Sequence, residues 1–360
     1  MSTGKNATRK STVHGIILAA MSLCLTMLGL ELAIRVHHGK VFQLKSLTAE
    51  PGNQVGRMAY HPRLGWVPKS GRIGKDLTSQ IDDAGLRSNG RSLAPQVRPI
   101  LAVGDSFTFG DDVSDSETWE AYLEEALNRP VLNAGVSAYG IDQAVLRAEL
   151  LLDECHPDIV LLSFISDDIN RAEFSYFSYG GWKPYFEFTN GSLTLRNVPV
   201  PQGPRARDFQ VLRHALSYSF LANAVLSRVV GQWWKYPRLV EQVHKDGEDV
   251  AVNLMAHLDG LVKKQGGQLI VIALGNDRIE DNARLPSVIK RARERGLEVL
   301  DLSTKILEIP VEQLRTMFGS SRHYNPAMNR WIADHIASFL SEKGIVIGIP
   351  EHSASLHIPQ

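Results

Sequence analysis

From about residue 96, short apolar runs alternate with segments that carry apolar residues at helical spacing. The apolar runs lie at residues 100–103, 131–133, 159–164, 269–274 and 297–302. The helical segments lie near residues 117–128, 141–154, 249–265, 285–295 and 326–341. Strands that alternate with helices form parallel βαβ units, whose helices cover both faces of one sheet. The sequence therefore predicts an α/β fold built on a parallel sheet.

One insertion interrupts this alternation. Residues 171–248 separate the third and fourth predicted strands, far more than the 2–6 residues of an ordinary connection. Within it, Asn190-Gly191 lies between two alternating apolar runs, which predicts a β-hairpin over residues 185–195. A helical stretch at about 214–234 ends in Trp233-Trp234. The insertion is either a lid or platform over the active site or a segment with its own small core.

The N-terminus contains an apolar run that predicts a membrane span. Residues 15–30 carry no charge, and residues 32–34 extend the run to about 20 positions, enough to cross the hydrocarbon core as a helix. Lys5, Arg9 and Lys10 precede it, which favours a cytoplasmic N-terminus. No small-x-small cleavage site follows, so a signal anchor is favoured over a cleaved signal peptide. We expect a single-pass protein of the inner (cytoplasmic) membrane whose catalytic domain is periplasmic or extracellular.

These features divide the chain into five predicted segments. They are a cytoplasmic tail (1–14), a transmembrane signal anchor (15–36), a lead-in segment that packs on the main domain (37–95), the main domain (96–342, with the insertion 171–248) and a C-terminal tail (343–360).

Composition excludes several classes of function. The 39 Lys+Arg and 39 Asp+Glu residues cancel, so the chain lacks the basic field that attracts nucleic acid. The two cysteines, Cys24 and Cys155, do not make a disulfide framework. His-Glu-x-x-His and Cys-x-x-Cys spacings are missing, so we expect neither a metal nor another cofactor.

Two separated motifs carry candidate chemistry. Gly104-Asp105-Ser106 directly follows the first predicted strand, which places a hydroxyl at the carboxyl edge of the sheet, where doubly wound folds bind ligands. Alone it is weak evidence, because Asp and Ser also cap helices. His323 precedes the last predicted helix and could accept the proton of a serine nucleophile. We predict Ser106 as nucleophile and His323 as its base.

Four blocks of sequence strengthen this prediction, because their order resembles that of the SGNH (GDSL-like) hydrolase family over residues 96–342. The blocks are Gly104-Asp105-Ser106, residues 133–140, Ser166-Asp167-Asp168 and His323-Tyr324-Asn325-Pro326. Residues 109–119 also resemble a membrane-anchored bacterial branch of that family. The resemblance implies a flavodoxin-like three-layer α/β/α fold, a Ser-His centre and an oxyanion hole with three donors.

The chain departs from the family at two of these donors. The resemblance assigns the hole to the backbone N–H of Ser106, a backbone N–H at a glycine position that is Ala138 here, and an Asn side chain that is Asp167 here. Ala138 can supply its N–H if its backbone angles allow it. Asp167 could donate only if protonated, which burial beside Asp168 would favour. Alternatively the hydroxyl of Ser166 donates, or Asp167 only caps a turn.

A third departure concerns the acid that orients the histidine. The family places it three residues before the histidine, where this chain has Ser320. The base is therefore expected to act as a dyad, to be fixed by a backbone carbonyl, or to borrow Asp277 from the loop after residues 269–274. Asp105, Ser320 and Asp277 are the predicted supporting residues.

Three functions follow. The leading hypothesis is hydrolysis of acyl esters on O-acylated glycans or lipids of the cell envelope. The second is an O-acyltransferase, since anchored members of the family are implicated in polysaccharide O-acetylation, which implies a multi-span acyl-donor partner. The third is a catalytically silent binding or scaffold protein, suggested by the replacements at Ala138, Asp167 and Ser320.

Overall fold

A computed structural model describes residues 3–42, 47, 57–74, 78–91, 97–177, 179–202, 212, 215–230, 234 and 240–346. The chain divides into two compact units. The smaller unit comprises Met1–Asn53 and Pro204–Arg238, and the larger comprises Gln54–Gly203 and Leu239–Gln360.

All strands of the described residues lie in the larger unit. They are β1 (Met58–His61), β2 (Gly65–Pro68), β3 (Gly71–Ile73), β4 (Ser79–Ile81), β5 (Ile100–Val103), β6 (Val131–Asn133), β7 (Ile159–Phe164), β8 (Phe174–Phe177), β9 (Gly181–Trp182), β10 (Tyr185–Thr189), β11 (Ser192–Arg196), β12 (Val240–Gln242), β13 (Gln268–Ala273) and β14 (Glu298–Asp301).

The helices are distributed over both units. They are α1 (Thr3–His37), α2 (Ser106–Phe109), α3 (Trp119–Leu127), α4 (Ile141–Cys155), α5 (Ser166–Arg171), α6 (Phe220–Val229), α7 (Gly247–Lys264), α8 (Leu285–Glu294), α9 (Leu302–Lys305), α10 (Val311–Thr316) and α11 (Pro326–Glu342). Helices α1 and α6 belong to the smaller unit.

A five-stranded parallel sheet forms the centre of the larger unit. Its order is β14-β13-β7-β5-β6, and every neighbouring pair is parallel. All residues of β5 and β7 are buried, as expected for strands covered on both faces. Read from the other edge, this is the flavodoxin-like order 2-1-3-4-5. The predicted α/β fold is therefore confirmed, and its central strands lie within one residue of their predicted bounds.

Alternate residues of the sheet enter two separate cores, which makes the fold three-layered. On one face, Leu101 of β5 and Val160 of β7 pack in the same cluster as residues of α4, α7 and α8. On the other face, Ile100 and Leu161 pack with residues of α3 and α11. Short helices α9 and α10 connect β14 to α11, and the apolar periodicity did not predict them.

The insertion contains the predicted hairpin. Strands β10 and β11 pair antiparallel, and Asn190 and Gly191 between them have φ values of 54° and 79°, as a tight primed turn requires. Trp234 is fully buried, and its Nε1 donates to Oδ1 of Asn223 at 2.8 Å. Trp234 thus packs within the smaller unit, whereas Trp233 lies outside the described residues.

Helix α1 contains the predicted apolar span. Its segment His14–His37 has 24 residues, a mean hydropathy of 2.1 and an apolar surface exposed along its length. By length and composition this segment could cross a membrane either as an anchor or as a signal sequence.

Candidate active site

Ser106 begins α2 directly after β5, at the carboxyl edge of the central sheet. The turn needs glycine at position 104, because a Cβ there would collide with the side chains of Thr108 and Ser163. Asp105 is the N-cap of α2, and its Oδ1 accepts a hydrogen bond from the backbone N–H of Phe107 at 2.9 Å. The tight turn and the cap together fix the direction of the Ser106 side chain.

His323 lies against Ser106. Its Nε2 is 2.8 Å from Oγ of Ser106, although 217 positions separate the two residues in the sequence. The imidazole packs beside the ring of Phe107, with ring centroids 4.9 Å apart. The next residue, Tyr324, donates its hydroxyl to the backbone oxygen of Gly275 at 2.6 Å, which ties the histidine loop to the end of β13. The structure thus brings the predicted nucleophile and base into hydrogen-bond contact.

The other imidazole nitrogen contacts a serine that leads to a carboxylate. Nδ1 of His323 is 2.8 Å from Oγ of Ser321, and that hydroxyl donates to Oδ2 of Asp112 at 2.5 Å. A hydroxyl has one proton, so Oγ of Ser321 must accept from Nδ1–H. Nε2 is then the unprotonated nitrogen and faces Ser106 as an acceptor. The chain Asp112-Ser321-His323 therefore selects the tautomer that a general base needs.

The predicted orienting groups lie elsewhere. Within the described ranges Ser320 makes no hydrogen bond to His323, and Asp277 accepts one from Nη2 of Arg322 at 2.5 Å. Asp281 accepts from the same nitrogen at 2.7 Å. These hydrogen bonds raise the pKa of the Arg322 guanidinium. The suggestion that His323 borrows Asp277 was therefore wrong, because Asp277 and Asp281 together hold Arg322, which has a left-handed φ of 68°.

The loop that carries Asp112 is fixed by a buried arginine. It leaves α2 through Gly110, which has a φ of 81°. Arg87 is 3% exposed, and its guanidinium donates to the backbone oxygens of Phe109 at 2.5 Å, Gly110 at 2.5 Å and Val113 at 2.6 Å. Sequence reasoning did not identify this role, although Arg87 lies in a turn-rich part of the lead-in segment.

Ala138 offers the second expected oxyanion donor. Its φ of 66° lies in the left-handed region, which explains why glycine suits this position and costs alanine about 1–2 kcal/mol. The preceding Ser137 is held by Trp66, whose Nε1 donates to its backbone oxygen at 3.1 Å, and by Asp111, which accepts from its hydroxyl at 2.9 Å. In the described part of the chain, the N–H of Ala138 has no acceptor. It is therefore available as a donor.

Asp167 does not have the burial that would favour its protonation. Its side chain is 53% exposed, accepts a hydrogen bond from Nδ2 of Asn170 at 3.2 Å and lies 3.8 Å from Nη2 of Arg171. That expectation was wrong, because the buried member of the pair is Asp168, which is 2% exposed. Burial, and secondarily the nearby carboxylate of Asp105, raises the pKa of Asp168 well above its usual range.

Ser166 is the remaining candidate for the third donor. It is buried at the start of α5, and its Oγ accepts a hydrogen bond from the backbone N–H of Arg284 at 3.2 Å. That bond uses the oxygen and leaves the hydroxyl proton to donate. Ser166 therefore stays an alternative to Asp167.

Arg171 connects three of the four sequence blocks, and sequence reasoning missed it. Its Nη1 donates to Oδ1 of Asp168 at 2.7 Å, to the backbone oxygen of Tyr139 at 3.0 Å and to Oδ2 of Asp105 at 3.1 Å. Burial acts to lower the pKa of Arg171, but the carboxylates of Asp168 and Asp105 outweigh it and raise that pKa. The spacing of acids three and four residues before an arginine on one helix was the available signal.

A metal centre has no obvious place among these groups. Over the residues that the structure describes, no three His, Cys, Asp or Glu side chains are arranged to hold an ion. Cys24 and Cys155 are both free thiols.

Comparison with known proteins gives remote structural neighbours. No protein-family model and no curated protein matches the chain. Among solved structures, it is similar to the lipase/acylhydrolase from Enterococcus faecalis, with 13% identity, a TM-score of 0.41 and coverage of 71% of this chain and 100% of that one.

Two further neighbours have related descriptions. A member of the lipolytic G-D-S-L family from Veillonella parvula matches with 14% identity and a TM-score of 0.38, over 68% of this chain and 96% of that one. A two-domain esterase active on acetylated mannans matches with 14% identity and a TM-score of 0.41, and the match covers 70% of this chain and 51% of that one. At this distance, the chemistry has to be argued from the residues of the chain itself.

Proposed function

We propose that this protein is a serine-dependent acyl-ester hydrolase with Ser106 as nucleophile and His323 as general base. The observation that carries the proposal is the 2.8 Å contact between Oγ of Ser106 and Nε2 of His323 at the carboxyl edge of the sheet. A serine hydroxyl is a weak nucleophile until a base within hydrogen-bond reach removes its proton. This pair meets that requirement without further movement.

The reaction proceeds in two halves. In the first, Nε2 of His323 takes the proton of Ser106 as Oγ attacks the ester carbonyl, and the imidazolium then protonates the departing alcohol. In the second, His323 removes a proton from water as that water attacks the acyl group on Ser106, and the imidazolium returns this proton to the departing Oγ of Ser106 as the acid is released. In both halves Asp112, acting through Ser321, stabilises the transient positive charge on the imidazole.

The oxyanion of each tetrahedral intermediate would be held by main-chain donors. The N–H groups of Ser106 and Ala138 are the proposed donors, and neither depends on side-chain identity. Asp167 as a carboxylate supplies no donor, and the loss of one good donor costs about 2.7–4 kcal/mol of transition-state stabilisation in other enzymes. We therefore expect slower turnover than in an enzyme with three donors, with Ser166 as the candidate replacement.

For substrates, we propose O-acylated glycans or lipids of the cell envelope, reached by a catalytic domain on the periplasmic or outer side of the membrane. The support is the apolar helix α1 together with the basic residues that precede its apolar segment. The carboxylates of Asp112 and Asp167 are exposed at the edge of the sheet that carries Ser106, which disfavours anionic acyl groups. Neutral esters such as acetyl sugars fit this charge distribution.

The same acyl-serine could instead be passed to a sugar hydroxyl, which would make the protein an O-acyltransferase. The membrane helix favours this second candidate, because a multi-span acyl-donor partner would reside in the same membrane. Chemically, the two functions differ only in whether water or a sugar attacks the acyl group.

The test uses the full chain in detergent with 4-nitrophenyl acetate, with and without a glycan acceptor. Release of nitrophenol that disappears in Ser106→Ala and needs no acceptor supports hydrolysis. Acetylated glycan formed at the expense of acetate supports transfer. A silent binding protein would release no nitrophenol above the Ser106→Ala background in either mixture.

A further inference from the structure

The carboxylate of Glu31, near the end of α1, binds the N-terminus of α6. Its Oε1 accepts a hydrogen bond from the backbone N–H of Phe220 at 3.0 Å, and its Oε2 accepts one from that of Leu221 at 2.8 Å. Oε2 also accepts from the hydroxyl of Ser219, the N-cap of α6, at 2.8 Å. One side chain of the apolar helix thus satisfies three donors that lie 188 to 190 positions away in the sequence.

The rest of the first turn of α6 is satisfied by Ser219. Its Oγ accepts from the backbone N–H of Ala222 at 3.0 Å, and its backbone oxygen accepts from that of Asn223 at 3.0 Å. The first four N–H groups of a helix have no partner within the helix. In α6, two of these four groups depend on Glu31 of α1.

Arg35 completes the contact one helical turn further along α1. Its Nε donates to Oε1 of Glu31 at 2.6 Å, and its Nη2 donates to the backbone oxygen of Tyr218 at 2.6 Å. The guanidinium also lies over the ring of Phe220, 4.9 Å from the ring centroid. The side chains of Glu31 and Arg35 are only 19% and 13% exposed.

Charges in an apolar span are costly, and they persist where they pair or have a function. A negative carboxylate at a helix N-terminus is also favoured by the helix dipole. The contact therefore stabilises both helices. Donors at the start of α6 satisfy the Glu31 carboxylate of α1, and that carboxylate in turn caps α6. A chain from which α1 has been removed would lose this cap, and the first N–H groups of α6 would be left without these acceptors.

We propose that α1 is a permanent structural partner of α6, and hence a retained anchor rather than a removable signal sequence. Helix α6 of the insertion then has a defined role as the element that binds the anchor. This inference goes beyond the proposed function and does not depend on Ser106 chemistry.

The experiment cuts the chain between the two partners. A protease sequence is inserted between residues 42 and 43 of the full chain, which carries a tag at its N-terminus. After extraction in a mild non-ionic detergent and cleavage, the tagged fragment is captured and the co-purifying body is quantified on a gel. The variants are Glu31→Ala and Ser219→Ala. Matched controls are Thr26→Ala and Ser227→Ala. Among the described residues, the Thr26 hydroxyl donates within α1, to the backbone oxygen of Ser22, and the Ser227 hydroxyl donates within α6, to that of Ala224.

The intact mass of the uncut protein should show that it still contains the cytoplasmic tail and α1. After cleavage, the body should stay bound to the anchor. Retention should fall at least tenfold in Glu31→Ala and several-fold in Ser219→Ala, with both controls unchanged. Mature protein that begins after residue 37 would overturn the proposal. Release of the wild-type body from the captured anchor to the same extent as the Glu31→Ala body would also overturn it. Ser219→Ala lies outside α1, so it keeps the test valid if Glu31→Ala impairs membrane insertion.

Discussion

The carboxylate of Asp112 accepts a 2.5 Å hydrogen bond from the hydroxyl of Ser321, although the two residues lie 209 positions apart in the sequence. Position 319 beside this contact is glycine, and a Cβ there would lie 2.7 Å from Oδ2 of Asp112, so a larger residue would push on the carboxylate. Asp112 lies in the loop that leaves α2, six residues after Ser106, so one continuous segment after β5 supplies both the nucleophile and the acid. The carboxylate that is missing three residues before His323 is thus replaced from a distant part of the chain.

The first prediction concerns this relay. Ser321→Ala and Asp112→Asn should each lower kcat at least tenfold, about 1.4 kcal/mol, because His323 loses the partner that selects its tautomer. KM should change little, since neither residue is proposed to bind substrate. The measurement is steady-state hydrolysis of 4-nitrophenyl acetate by the full chain in detergent.

Ser320→Ala is the matched control, since it removes the neighbouring hydroxyl. It should keep kcat within about twofold, well under 1 kcal/mol. Equal losses in Ser320→Ala and Ser321→Ala would show that the loop, rather than the relay, determines the rate.

The second prediction concerns Arg87, which holds the loop between α2 and Asp112. Arg87→Met leaves three buried backbone oxygens without their donor, each at a cost of about 1–3 kcal/mol. We expect a lower melting temperature and a fall in kcat larger than that of Asp112→Asn, because Ser106 and Asp112 are both misplaced. The control is Arg57→Met, because Asp111 is the one acid that this neighbouring arginine contacts among the described residues. A kcat for Arg87→Met equal to that of this control would contradict the prediction.

The third prediction concerns the missing oxyanion donor. Asp167→Asn replaces an acceptor by an amide that can donate, so turnover should rise several-fold, within the limit of about 2.7–4 kcal/mol that such a donor supplies. Asp259→Asn is the control, because Asp259 likewise pairs with a cation four residues later, Lys263. It should leave turnover unchanged. A decrease in Asp167→Asn would instead give Asp167 a positive role, such as placing Arg171.

The fourth prediction concerns pH and the buried carboxyl of Glu120 in α3. Neither of its oxygens has a hydrogen-bond partner among the described residues, and burial raises its pKa well above 4.5. Between the unfolded and the raised folded pKa, the folded state holds one more proton. The free energy of unfolding therefore falls by about 1.4 kcal/mol per pH unit as pH rises through that window.

Glu120→Gln removes this dependence. Its gain in melting temperature over wild type should be larger at pH 8 than at pH 5, by at least about 3 °C. Glu125→Gln, on the exposed face of the same helix, should show no such difference. A gain that is equal at both pH values would mean that Glu120 is ionised in the fold.

The sequence predicted those features that local patterns determine. Apolar runs such as residues 159–164 are buried on both faces, so their bounds are visible from composition alone. Ser106 and His323 were predicted because each lies in a short motif directly beside a regular element and because the order of the four blocks resembles that of a known family. Asp112 and Arg87 were not, because their roles depend on a loop conformation and on contacts over long sequence distances. Asp167 was misjudged because adjacent residues on a helix point in different directions, and only Asp168 turns inward.

The contact between Glu31 and α6 shows the same limit. The apolar run was evident, but a single glutamate near its end gave no indication that it caps a helix almost 190 positions later. Ser219 as an N-cap is a local signal that the sequence carries. That Glu31 accepts the hydrogen bonds of Phe220 and Leu221 is visible only in the tertiary structure.

The most direct test is covalent labelling of the full chain with a fluorophosphonate, followed by peptide mass spectrometry. A serine activated by a base should react, so we expect an adduct on Ser106 that is absent in Ser106→Ala and reduced at least tenfold in His323→Ala. Absence of labelling between about pH 5 and pH 9, or labelling that persists in Ser106→Ala, would contradict the assignment of Ser106 and His323 as a catalytic pair.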